Sequence, residues 1–65
     1  MISTLSDKAL LEKAKHGSIE ATEMLIKRYG CNVDDVKAVQ HALSRQSFLS
    51  VSAARRIIYA NAEIA

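Results

Sequence analysis

Sixty-five residues give room for one domain, spanning 1–65. A composition 49% hydrophobic and 25% charged excludes a disordered chain, and the absence of proline with only two glycines points to helix rather than strand. The net charge of +2 is smaller than a dedicated nucleic-acid binder usually carries, and no apolar run approaches the roughly 20 residues of a membrane span.

The first helix is predicted to follow Ser6, whose hydroxyl can accept from an early helical amide. Leu5 and Leu10 flank that cap at the spacing of a hydrophobic staple. Leu10, Leu11 and Ala14 form the apolar face, and Lys8 and Glu12 stand at ion-pair spacing. Gly17 ends the helix near His16, because glycine takes the left-handed conformation of a C-terminal cap without strain.

Ser18 caps the second helix at once. Its apolar residues are Ile19, Leu25, Ile26 and Tyr29, with Met24 beside them. Glu20 and Glu23 near its start and Lys27 and Arg28 near its end complement the helix dipole. Gly30 closes it. So short a turn between two helices predicts a helical hairpin.

Asn32 caps the third helix, with Asp34 and Asp35 in the first turn and Cys31 and Val36 at staple spacing. Val36, Val39 and Leu43 make an inward stripe widened by Ala42, and the helix stops near Arg45 or Gln46. Ser47 or Ser50 opens the fourth helix, which runs through Ala53, Ile57 and Ile58 towards the C-terminus. Phe48 and Leu49, in the connection, are expected to plug the end of the core. The whole reads as an all-α protein: a compact bundle of four short helices built as two helical hairpins. Ser18-Ile19, Ala21 and Leu25-Ile26 recur as Ser50-Val51, Ala53 and Ile57-Ile58, a faint echo near the period of helical-hairpin repeats.

Helix four has an unusually wide apolar surface. Val51, Ala54 and Ile58 define one stripe, and Ala53, Ile57, Ala60 and Ile64 define a neighbouring one, where a surface helix needs a single stripe. Such width suits either a central helix enclosed by the others or one that docks on a second chain. A chain this small is marginally stable alone, and one cysteine makes no intrachain disulfide, so a partner or self-association is expected. Val51, Ala54, Ile57, Ile58 and Tyr59 are the candidate protein-binding residues, in the manner of a homodimer or of a regulatory partner.

Lys37, His41 and Arg45 stand at successive i+4 positions, and Arg55 and Arg56 could extend the basic line. In the alternative reading these five would serve a DNA-binding regulator, contacting phosphate while helix four lies in the major groove. The turn between helices three and four lacks the glycine common in helix-turn-helix units, which counts against it.

No catalytic constellation is legible. His16 and His41 fall on different helices without paired ligands at metal-site spacing, so no metal or other cofactor is expected. Asp34 and Asp35 are explained by the helix dipole. Cys31 could be activated by a helix N-terminus, but at a staple position it reads as a small hydrophobe. No nucleophile elbow or phosphate loop is present, and the chain leaves little room for a small-molecule pocket. A non-enzymatic, cytoplasmic interaction protein without membrane attachment is the expectation; the single cysteine suits a reducing compartment, and no secretory signal is seen.

The segment LLEKAKHGSIEATEMLIKRYG, residues 10–30, resembles the opening helical pair of sigma-factor-like and conjugative-element regulators. It also resembles Sel1-like and tetratricopeptide hairpins. The promoter-melting aromatics of such sigma factors do not follow, and no functional residue is carried over.

Overall fold

The computed structural model describes residues 4–46 and 48–61. Over these it is a four-helix bundle: α1 (Asp7–Lys15), α2 (Ile19–Arg28), α3 (Val36–Ser44) and α4 (Val51–Asn61), with a 3-10 turn at Val33–Asp35 leading into α3. No strand occurs among the described residues. The radius of gyration, 10.1 Å, is close to the roughly 10.7 Å expected for a compact chain of this length, so no helix stands away from the rest.

The helix boundaries follow the local chemistry. Ser6, Ser18 and Ser50 each accept from the amide three residues on, those of Ala9, Ala21 and Ala53, at 3.2, 3.1 and 3.2 Å. Ser50 therefore opens α4; the alternative, Ser47, lies outside the described residues. Gly17 (φ 100°) and Gly30 (φ 77°) close α1 and α2 in the left-handed half of backbone space. Both ends are complete Schellman motifs. The amides of Ser18 and Cys31 return to the carbonyls of Lys13 and Ile26, and those of Gly17 and Gly30 to Ala14 and Lys27, all at 3.0 Å. Asn32 accepts from the Asp34 amide at 3.1 Å, so the predicted cap is real. It opens a 3-10 turn, however, and the α-helix proper starts only at Val36.

Leu10, Leu11, Ala14, Ala21, Leu25, Ile26, Val39, Leu43, Ala54 and Ile58 meet in one core, with Cys31 and Val36 at its edge. α1 and α3 each pack on all three other helices, whereas α4 packs mainly on α3 and α1. The wide apolar surface of α4 is thus not that of a central helix.

Three expectations need correction. Phe48 does not plug the core: it is 95% exposed, and only Leu49 of the pair packs inward. The six residues between α3 and α4 turn the chain while seating one of the two side chains. Glu12 pairs with Lys15 (3.5 Å) and lies 3.9 Å from His16, rather than pairing with Lys8. The echo between residues 18–26 and 50–58 keeps its serine caps and the burial of Ile26 and Ile58, but not that of its other apolar pairs. Ala21 and Leu25 are enclosed, while their counterparts Ala53 and Ile57 are only partly covered.

Two polar clusters tie the helices together. In the core, Gln40 Nε2 donates to the Ala14 carbonyl at 2.7 Å, and Thr22 Oγ1 meets Gln40 Oε1. At the surface, Asp7 accepts from Arg28 at 3.0 Å and from the Tyr29 hydroxyl at 3.4 Å. Arg55 lies over the Tyr29 ring, 5.0 Å from its centre, and Tyr59 Oη donates to the Tyr29 carbonyl at 3.1 Å.

Candidate interaction surface

The five apolar residues chosen on α4 divide by depth. Ala54 and Ile58 are wholly enclosed by the bundle and offer nothing to a partner, because the stripe they define is the one facing α1 and α3. Val51 and Ile57 are partly covered at the margin of the core. Tyr59 is 42% exposed, but its hydroxyl is committed to the Tyr29 carbonyl. Of the neighbouring stripe, Ala53 and Ile57 are partly covered and Ala60 is exposed, while Ile64 lies outside the described residues.

Ile57 and Ala60 form one wall of a shallow, open groove between α3 and α4. Ala42, Ile57 and Ala60 line it together with Arg45 and Arg56, and Gln46 and Asn61 complete it. The chain leaves the groove at Gln46 and reaches Phe48 two residues later, within about 7 Å of backbone. Phe48 is almost fully solvated and is not itself among the residues that line this groove edged by two arginines. Sequence reasoning missed the exposure of Phe48. The signal was its place in a connection of mostly polar residues, where no neighbour at helical spacing would bury it.

Lys37, His41, Arg45, Arg55 and Arg56 are all exposed. They do not act as one patch. Arg45 and Arg56 share the α3–α4 groove, and Arg55 is drawn over Tyr29 beside Asp7. Lys37 lies at the opposite end of α3, in a depression lined by Ile19, Val33, Glu23, Asp34 and Asp35. Among the described residues, neither arginine of the groove nor any of these three carboxylates is in an ion pair.

A further depression at the α1–α2 turn is lined by Leu5, Glu12, Lys13, His16, Ser18 and Glu20, and the Ser18 hydroxyl there accepts from the Ala21 amide as the cap of α2. Among the described residues, no group of three or more His, Cys, Asp or Glu side chains could hold a metal ion. Cys31 lies at the core edge, its Sγ 3.9 Å from the Tyr29 carbonyl, and burial pushes its thiol pKa up rather than down. It therefore packs as a small hydrophobe and is not an activated thiolate. Tyr29 is raised as well, first by burial and then by the Asp7 carboxylate. Among the described residues, no helix is long and apolar enough to cross a membrane.

No protein-family model, curated protein or solved structure matches this chain.

Proposed function

We propose that this is a non-enzymatic helical interaction protein that docks on a protein partner through the face formed by the α3–α4 connection and the groove beside it. The observation that carries the reading is Phe48. Placing a whole aromatic ring in water forgoes about 1.5–3 kcal/mol of burial, and aromatic and arginine side chains are the usual anchors of protein interfaces. Phe48 belongs to the connection that leaves the groove of Arg45 and Arg56, where Ile57 and Ala60 are the apolar surface between the helices. Relative to the residues chosen from sequence, the contact moves from the enclosed stripe of α4 to its outer edge. Regulation by occupancy of this face, in a cytoplasmic setting, belongs to the same proposal.

A photoreactive phenylalanine analogue at position 48 tests it in cells that make the protein. A discrete crosslinked product is expected from position 48 and none from exposed Lys8. Arg45→Glu with Arg56→Glu should remove the product. No product from position 48 would overturn the reading.

A second reading, DNA binding, is favoured by the exposure of all five basic residues on α3 and α4. Phosphate contacts from Lys37, Arg45, Arg55 and Arg56 would give affinity that falls steeply with salt. The carboxylates around Lys37 and the stacking of Arg55 on Tyr29 weigh against it. Fluorescence anisotropy with a mixed-sequence duplex decides: no binding at low ionic strength ends this alternative.

A further inference from the structure

We infer that the partner of the Phe48 face is a second copy of this chain, bound head to tail rather than symmetrically. The inference rests on the docking role proposed for that face and names its occupant.

Ile19, Phe48 and Tyr59 are the large apolar side chains left exposed among the described residues. Tyr59 is held by its hydrogen bond; the other two sit on faces of opposite charge. Phe48 stands two residues along the chain from Gln46, which lines the groove of Arg45 and Arg56. Ile19, 45% exposed, lies with Val33 in the depression bordered by Glu23, Asp34 and Asp35. One face is an aromatic ring with two cations, and the other is an aliphatic hollow with three anions and a single cation, Lys37.

α3 separates them. Its first residues, Val36, Lys37 and Ala38, line the acidic depression, while Ala42 and Arg45 line the basic groove. At 1.5 Å per residue, Asp35 and Arg45 are roughly 15 Å apart along the helix axis. The faces cannot meet within one molecule, and among the described residues the groove arginines and the three carboxylates are in no ion pair. A symmetric contact through the α3–α4 groove would set Arg45 and Arg56 of one copy against the same arginines of the other. A head-to-tail contact instead pairs cations with anions and seats Phe48 against Ile19 and Val33. Two faces of about 500 Å² each, near the lower limit for a specific contact, would occupy about a quarter of the 4153 Å² surface. Such a heterologous contact repeats into a ring or an open chain.

The experiment is light scattering of the purified chain from micromolar to millimolar concentration, with Phe48→Asp and Ile19→Asp as single variants. Circular dichroism checks that each variant stays folded. The wild-type mass should rise with concentration and fall back at high salt, and each variant alone should remain a monomer. An equimolar mixture of the two variants should stop at twice the monomer mass. It then holds one intact pair of faces and one pair carrying an aspartate on both sides. A wild type that is monomeric throughout overturns the inference. So does association that is lost in Phe48→Asp but kept in Ile19→Asp, which would mean a symmetric contact. Either result leaves the docking role of Phe48 standing if position 48 still crosslinks to a different protein in cells; without any crosslink, both fall.

Discussion

Gln40 on α3 donates its side-chain amide to the carbonyl of Ala14 on α1 at 2.7 Å, inside a core that is otherwise almost entirely hydrocarbon. Thr22 on α2 meets the other end of the same amide, so one side chain links three helices.

The two partners of Gln40 are not left equal when it is removed. The Ala14 carbonyl also accepts from the Gly17 amide, and the Thr22 hydroxyl also reaches the Ser18 carbonyl at 3.0 Å. Gln40→Met should therefore cost only about 1 kcal/mol, the net worth of an exchanged hydrogen bond. Thr22→Val strands a buried carbonyl oxygen of Gln40 and should cost more, roughly 1–3 kcal/mol. The double variant should be more stable than Thr22→Val alone. Urea denaturation of the three variants tests this order.

Gly17→Ala is expected to destabilise by about 1–2 kcal/mol through backbone strain alone. A Cβ at this position meets nothing within 4 Å, so no steric clash adds to the cost. Gly30→Asn should be milder than Gly30→Ala, because asparagine tolerates the left-handed region better. Thermal melts distinguish the pair.

Stability should decline at alkaline pH. The buried Cys31 thiol keeps its proton in the folded state at a pH where the unfolded chain has begun to lose it. The folded state then binds more protons than the unfolded, so stability is full below the unfolded thiol pKa and falls above it. Tyr29 adds a loss of the same sign starting higher, as the pH rises past the unfolded phenol. Melting temperatures between about pH 8 and pH 10 should drop less in Cys31→Ala than in wild type.

Phe48→Ser should leave the melting temperature within the error of a surface change, about ±0.5 kcal/mol, because the ring buries almost nothing in its own chain. Tyr59→Phe should cost up to about 1 kcal/mol through loss of the bond to the Tyr29 carbonyl. A stability loss at Phe48 larger than that at Tyr59 would contradict the assignment of one to docking and the other to structure.

The helices, their caps and most of the core are legible in the sequence because each is decided within a few residues. A serine bonds an amide three positions on, and a glycine permits a turn that other residues resist. Gln40 shows where such local reading stops. It stands four residues from Val36 and three from Leu43, squarely on the inward stripe, and only its polarity disguised it. Its partners are 18 and 26 residues away, a separation no pattern within one helix reveals. The exposed edge of α4 was hidden for a related reason. Apolar width on α4 indicated that something had to be covered, but which stripe α3 and α1 would cover depends on how the helices cross. The opposed charges of the two grooves are likewise assembled from α2, α3 and α4 together.

The attachment of α4 carries a consequence for motion. Among the described residues its fully enclosed side chains are Ala54 and Ile58, and its ties to the α2 end are the Tyr59 bond and Arg55 over the Tyr29 ring. α1, α2 and α3 share the Gln40 network and two closed glycine turns. Hydrogen exchange should consequently be graded: amides of α4 open at a lower free energy than those of Leu25 or Leu43, which exchange only when the whole bundle unfolds. An occupant of the groove would grip both α3 and α4. It would slow the exchange of α4 first, and by the larger factor, so the weakest-held helix would report binding most sensitively.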